Sequence, residues 1–435
     1  MGETLSSQPV LTRLQRIAEQ AKARPELVFT TLAHLIDVEL LREAYQRTRK
    51  DSSPGVDGVT AKQYGANLEA NLSNLHERLR KQQYYAPPVK RTYLEKEDGS
   101  KRPIGMPAFE SKIVERAVVM LLAAVYEEDF YDCSYGFRAG RSPHQALIEL
   151  RNRCAWGNIK VVVDADVSGC FDNIPKGPLL GVIRQRVNDG GILRLIGKWL
   201  NAGVLEGEEL FYPEKGTPQG GVISPLLANI YLHEVLDGWF EREVKPRMKG
   251  CCYLIRFADD FIIGCEVESD AQRLMAVLPK RFGRYGLTIH PTKTKLVKFS
   301  RPKLKDDGNG NGTFDFLGFT HYWARGQKGA WVVKRKTAAK RLRRAGKRVW
   351  QWCRQHRHEP VREQCATLSA KLRGHYQYYG LRSNYASLQV YYKHVQRAWR
   401  SWLGRRGGKK RMTFRRFAAL LAVFPLPPPR IIHRI

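Results

Sequence analysis

The sequence predicts an α/β (α+β) chain: an antiparallel, acid-bearing sheet set among amphipathic helices, followed by a separate basic helical module. Three observations carry that prediction. Two short β-prone runs, KVVVDAD (160–166) and YLIRFADDFIIG (253–264), place aspartates where strand ends or turns fall. Between and around them, apolar residues recur at helical spacing. The charge is also lopsided: 74 Lys and Arg against 42 Asp and Glu give +32, and +25 of this lies in Trp331–Ile435, where 27 Lys and Arg face only Glu359 and Glu363.

At 435 residues and 43% hydrophobic content the chain is long and apolar enough for two or three packed domains, which excludes a disordered polycation. The surplus of positive charge calls for a polyanionic partner, bound in a salt-sensitive way. Eight cysteines without a C-x-x-C pair, no signal peptide and no apolar run of spanning length fit a reducing cytoplasm and no membrane. Met1–Ser6 matches a myristoylation pattern only formally. Cys353, His356, His358 and Cys365 have a spacing that fits no common zinc site and read as helix-surface residues.

In chain order, residues 11–49 read as about two helices, ended by a run of turn residues from Asp51 to Gly58. Asn67–Gln82 reads as a helix that Pro87 and Pro88 terminate. Residues 89–107 read as a hairpin with Asp98-Gly99 at its turn, and Lys96 and Arg102 project from it. An amphipathic helix is expected over 113–130. In 160–166, Val161, Val163 and Ala165 alternate with Asp164 and Asp166, so one face is apolar and the other acidic. Spacing does not choose between Asp164 and Asp166 as a metal ligand. Residues 179–200 read helical. GTPQGGV (216–222) has few bulky side chains and faces a substrate, and Ser224–Phe240 continues it as a helix with Pro225 near the start. Asp259 and Asp260 sit at the tip of the second acidic element. Adjacent carboxylates repel, and a divalent cation that needs hard oxygen ligands is the usual reason to hold them together. If the two acidic elements are neighbours, three carboxylates converge, enough for a pair of Mg2+ ions. Residues 271–285 read as a helix, 286–300 and 314–323 as strands, and the remainder beyond Lys334 as basic helices with interleaved Tyr and Trp.

These residues resemble the reverse transcriptases encoded by group II introns. The matching motifs run in family order: SPGVDG (53–58), KRPIG (101–105), SYGFRAGRS (134–142), DADVSGCFDNI (164–174), GTPQGGVISPLLANIYL (216–232), RFADDF (256–261), GLTIHPTKTK (286–295) and FDFLGF (314–319). LRGHYQYYG (372–380) and the basic helices after it are similar to the family's thumb, or maturase, region. The resemblance implies a right-hand polymerase: fingers and palm over 86–330 after an N-terminal extension (1–85), a thumb/maturase domain over 331–405, and a short basic, DNA-binding tail over 406–435. It implies that Asp166, Asp259 and Asp260 are catalytic and bind two Mg2+ ions with Val167. Asp164 would be a neighbour and not a ligand.

By the same resemblance Lys96 and Arg102 hold the incoming deoxynucleoside triphosphate, Gln219 lines its pocket, and Phe171 blocks a 2′-hydroxyl. Ser53, Pro54, Gly55, Val56, Asp57 and Gly58 form a loop over template and primer. Arg343, Arg344, Arg348, Arg373, Tyr376, Arg397 and Arg400 belong to the region that grips RNA. The implied partners are a structured intron RNA, an RNA template with its DNA primer, and a DNA target. Two departures stand out. Phe257 replaces the more frequent tyrosine of the Tyr-Ala-Asp-Asp tetrad, which leaves every carboxylate in place. The Cys- and His-rich endonuclease segment of many members has no counterpart, so second-strand cleavage is not expected. The rival readings are a splicing cofactor with a vestigial polymerase and a stand-alone reverse transcriptase of a defence or diversification system.

Overall fold

The computed structural model describes residues 8–95, 101–217, 220–303, 311–406 and 412–434. Its strands are β1 (Val89–Glu95), β2 (Lys101–Met106), β3 (Val161–Asp166), β4 (Val204–Glu206), β5 (Glu209–Phe211), β6 (Cys252–Phe257), β7 (Asp260–Cys265), β8 (Lys295–Lys298), β9 (Phe314–Phe316), β10 (Phe319–Arg325) and β11 (Trp331–Thr337). They form sheets of order β2-β1-β4-β5, β6-β7-β3-β8 and β11-β10-β9. The chain divides into two compact units, Met1–Ala146 with Val163–Leu296, and Leu147–Val162 with Val297–Ile435.

Helix Phe109–Asp129 is the spine of the first unit. Ile113, Val114, Ala117, Leu121, Leu122 and Val125 are all buried, so apolar residues occupy more than one face, as a core helix requires. Helices Gln8–Ala23 and Val38–Arg47 pack on it. The second is started by Asp37, whose carboxylate accepts the Leu40 N–H at 2.8 Å. Both helices expected in residues 11–49 are therefore present. So is the one expected over 67–82, at Leu68–Arg80.

The helical stretch expected over 179–200 is split into Lys176–Arg184 and Gly190–Leu200. Asp189 makes the break: its carboxylate accepts N–H groups from Gly191 (2.7 Å) and Ile192 (2.9 Å), and from Leu32 (2.5 Å) and Ala33 (2.9 Å) across the fold. Burial opposes its charge, but these four bonds hold the carboxyl below its usual range.

The hairpin expected over 89–107 is β1–β2, antiparallel from Lys90↔Met106 to Glu95↔Lys101. A second hairpin, β4–β5, turns at Gly207 and Glu208 and joins β1 in parallel through Val89↔Val204. Strands of three residues are too short to show an alternation, so this hairpin left no sequence pattern.

Helix Ser224–Leu232 begins as expected, but beyond it the backbone widens into π-helical segments His233–Gly238 and Phe240–Val244. Asp237 lies fully buried in the first of these. The run 286–300, expected as strand, contributes only β8 and a single antiparallel bridge, Val167↔Ile289.

In the second unit, β10 pairs with β9 and β11, and its alternate residues Phe319, His321 and Trp323 point inward. Helices Ala339–Gln355, Val361–Tyr379, Tyr385–Leu403 and Phe414–Val423 follow. Their core is Leu368, Leu372, Tyr376, Leu388, Tyr391, Val395 and Trp399. Most of the interleaved aromatics thus pack between helices, and the basic residues keep the outer faces.

Candidate catalytic and nucleotide site

Strand β3 delivers Asp164 and Asp166 with Val163 and Ala165 buried between and behind them. Past its end Val167 is buried and bridges to Ile289, and Ser168 N–H donates to the Thr288 carbonyl at 2.8 Å. The segment carrying Thr294 also supports Asp166, through a 3.4 Å bond from the Asp166 N–H to Thr294 Oγ1. Its lysines face the acids: Lys293 Nζ is 3.1 Å from Asp166 Oδ2, and Lys295 Nζ is 3.5 Å from Asp164 Oδ2. Asp164 is the more buried carboxylate, at 15% side-chain exposure against 41% for Asp166, which leaves Asp166 the better placed of the two for a ligand from solvent.

The second acidic element is the β6–β7 hairpin, in register from Cys252↔Cys265 to Phe257↔Asp260. Ala258 and Asp259 make the two-residue turn. Ala258 has φ +58°, a left-handed conformation that costs a non-glycine residue about 1–2 kcal/mol. Three contacts hold it there. The Arg256 side chain, fully buried, donates to the Ala258 carbonyl at 3.0 Å. Gly136 lies so close beneath that a Cβ at that position would clash with the Ala258 nitrogen. Asn229 Nδ2 in turn donates to the Gly136 carbonyl at 2.6 Å.

Arg256 is the centre of this support. It makes a bidentate pair with Asp237 (2.7 and 2.5 Å) and donates to Asn229 Oδ1 (2.9 Å) and Ser134 Oγ (2.7 Å). Its backbone bridges to the 133–135 segment through Arg256 N–H to Cys133 O and Tyr135 N–H to Arg256 O, both 2.8 Å. Sequence reasoning missed this network. Two signals were available, an arginine inside the apolar run YLIRF and an aspartate inside the apolar run NIYLHEVLDGWF, since charges in such runs are found paired.

The two acidic elements are neighbours, with β7 beside β3 in the sheet. Consistently, the charge of Asp259 reaches the thiol of Cys170, which burial already raises far above its usual range. The donor set, Asp166, Asp259 and Asp260, is the hard-oxygen chemistry that Mg2+ prefers, and the Lys293 ammonium shows that Asp166 accepts a cation. Among the described residues no three His, Cys, Asp or Glu side chains lie close enough together to hold a metal by themselves, so the fit is one of chemistry and of strand adjacency.

Phe171 follows in the short helix Cys170–Asn173 and is only 8% exposed, with Phe137 edge-on at 6.4 Å. Its carbonyl accepts the Thr217 N–H at 2.8 Å, and Ile174 O accepts that of Gly216, so the start of the 216–222 loop is clamped to this helix. The loop's far end is held by Glu115, which accepts the Ile223 N–H at 3.1 Å. Burial pushes the Glu115 carboxyl up to about 7, against the pull of the Ile223 and Val222 N–H groups, Lys112 and Arg116. Lys96, Gln219 and the Arg102 side chain lie outside the described residues. The Arg102 backbone is paired with Leu94 in the β1–β2 hairpin.

In the 53–58 loop, Gly58 N–H closes a turn onto Gly55 O at 3.3 Å, and Ser53, Asp57 and Gly58 are exposed while Gly55 is buried. Lys112 anchors it by donating to Ser53 O at 2.7 Å and to Ser52 Oγ at 3.1 Å. The loop, the hairpin and helix Phe109–Asp129 border an open cleft of about 400 Å3 lined by residues that include Ser52, Ser53, Thr92, Lys112 and Arg116.

In the second unit Arg343, Arg348, Arg373 and Arg397 are exposed, Arg344 is half-buried, and Arg400 stacks on Phe414 at 3.5 Å. Tyr376 does not join them. At 2% exposure it fills the helical core and its hydroxyl donates to Pro427 O at 3.2 Å, which leaves no ring face for a base.

Residues 94–321 match the family model described as reverse transcriptase (RNA-dependent DNA polymerase). The chain is 36% identical over 305 residues to the group II intron-encoded protein LtrA of Lactococcus lactis subsp. cremoris, a match covering 67% of this chain and 51% of that protein. It is 31% identical over 329 residues to the protein YkfC of Escherichia coli, covering 66% and 84%. A shorter match, 32% over 140 residues, is to the nuclear intron maturase 4, mitochondrial, of Arabidopsis thaliana, covering 31% and 17%. The chain thus spans about half the length of LtrA.

Proposed function

Since the chain belongs to the reverse transcriptase family, we propose that it is an RNA-directed DNA polymerase of a group II intron and also assists splicing of that intron as a maturase. The observation that carries the proposal is the acid-tipped β6–β7 hairpin lying beside β3, inside the span matched by the family.

The reaction is attack of a primer 3′-hydroxyl on the α-phosphorus of a deoxynucleoside triphosphate. Two Mg2+ ions, held by Asp166, Asp259, Asp260 and the Val167 carbonyl, would lower the pKa of that hydroxyl and neutralise the leaving pyrophosphate. The protein's own contributions are positional. The Arg256 network fixes the turn that carries Asp259, while Lys293 pairs with Asp166. Lys96 and Arg102 place charge on the β- and γ-phosphates, Gln219 lines the nucleotide pocket, and Phe171 excludes a 2′-hydroxyl.

Template and primer lie under the 53–58 loop, and sequence is chosen by base pairing, so the protein reads backbone and shape. The domain reading that goes with this is fingers and palm over 86–330 and a thumb/maturase over 331–405, with 406–435 a DNA-binding tail for target-primed copying. The exposed arginines Arg343, Arg348, Arg373 and Arg397 would hold the duplex and the structured intron RNA. A bacterial cytoplasm, with the chain held in a ribonucleoprotein particle, is the matching location.

The test is Mg2+-dependent extension of a DNA primer on an RNA template by purified protein. Asp259→Ala is expected to abolish it, and extension at wild-type rate by that variant would sink the assignment. RNA that copurifies with the chain is expected to contain a folded intron.

A further inference from the structure

Phe137 combines three properties that folding alone does not explain. It sits at φ +58°, in the left-handed region that L-residues rarely adopt. It is 57% exposed, so little of its ring is removed from water. And its ring stands edge-on to Phe171, at 6.4 Å and 84°. Strained backbone persists where surrounding structure over-determines it, and such positions cluster at functional sites.

The surroundings of Phe137 over-determine it from both sides. Before it, Gly136 is pressed against the catalytic turn and held through its carbonyl by Asn229. After it, Arg138 is 9% exposed and tied to Glu127 Oε2 (2.9 Å), Tyr131 O (2.8 Å) and Ser134 O (2.9 Å). Residues on either side are anchored, and the aromatic between them is held out of the core. A ring exposed in this way offers a flat apolar face beside the turn that bears Asp259 and the helix that bears Phe171. Sugar and base have matching apolar faces.

We propose that Phe137 is a specificity-determining residue of this site, its exposed ring completing with Phe171 the apolar wall against which the sugar of the incoming nucleotide packs. This rests on the reading of Phe171 as the residue that excludes a 2′-hydroxyl. Phe171 is itself almost fully buried, so a wall made by it alone would present little surface, and Phe137 supplies the exposed part. The side of the pocket that selects deoxyribose is then built from two separate motifs, one following β3 and one resting on the β6–β7 turn.

The experiment is single-nucleotide incorporation of dATP and ATP opposite the same template base by the wild type, Phe137→Ala, Phe137→Leu and Phe171→Ala, with thermal unfolding and primer–template Kd measured alongside. Phe137→Ala is expected to reduce selectivity for dATP over ATP at least tenfold, mainly through a raised KM for dATP. Its unfolding temperature and primer–template Kd should be unchanged, because the ring is exposed. Phe137→Leu should fall between the two.

Selectivity within twofold of wild type in Phe137→Ala, with Phe171→Ala still losing it, would overturn the assignment of Phe137 and leave that of Phe171 standing. Loss in Phe137→Ala with none in Phe171→Ala would support Phe137 and refute the reading of Phe171. A change confined to primer–template Kd would overturn the proposal, since the ring would then belong to the duplex.

Discussion

Arg256 is the residue on which the turn bearing Asp259 depends. It is fully buried, and so is its partner Asp237. A buried pair is weak evidence for net stability, because desolvation offsets most of the attraction, but removing one partner strands the other charge. Arg256→Met should therefore cost about 3–5 kcal/mol, read as a lowered urea midpoint, and changing Asp237 to an apolar residue in the same chain should recover much of it. Neither partner was singled out from the sequence, although the three aspartates nearby were. A carboxylate exposed at a strand end stands out against strand propensity, whereas a buried ion pair is visible only once the two elements that carry it are docked.

At the scale of the element, the β6–β7 hairpin is strained at Ala258, where the favoured two-residue turns want glycine. Ala258→Gly should raise stability by about 1 kcal/mol in thermal unfolding, because the left-handed conformation then carries no Cβ penalty. The same change should slow primer extension, since a freer turn holds Asp259 less firmly.

Legibility followed element length. The hairpins at 89–107 and 253–264, the helix expected over 113–130 and found at Phe109–Asp129, and the acidic strand were all readable, because each is long enough to show its period. Strands β4 and β5 were too short to show one, and the break at Asp189 and the π segments were not readable because each is set by a contact made far along the chain: Asp189 by Leu32 and Ala33, and Asp237 by Arg256. Of the residues expected to bind RNA, Tyr376 was misplaced because a helical Tyr among arginines reads alike whether its ring faces a groove or a neighbouring helix.

For the whole molecule the sharpest expectation is acid sensitivity. Burial lowers His233 and His375 to about 4 and His321 to about 3, while the unfolded chain protonates them near 6.5. Between those values only the unfolded state takes up the protons, so stability is lost as the pH falls below about 6.5. Glu115 acts in the opposite sense. With its folded pKa raised from 4.5 to about 7, it favours the native state at lower pH and loses that contribution as pH rises through 7. Three groups outweigh one, so the denaturation midpoint at pH 5 should lie below that at pH 7, and replacing His321 with Phe should reduce the difference.

The π-helical stretch after Leu232 carries a consequence of a different kind. A π turn is an α-helix with a residue too many, a local widening held in place by whatever it aligns. Here it aligns Asp237 with Arg256. Deleting one residue between His233 and Asp237 would let the helix close to ordinary α pitch while all that follows keeps its phase, because the deletion removes the residue that the wide turn accommodates. Asp237 would lose the wide turn that presents it to Arg256, although the deletion itself would touch no residue of the β6–β7 hairpin.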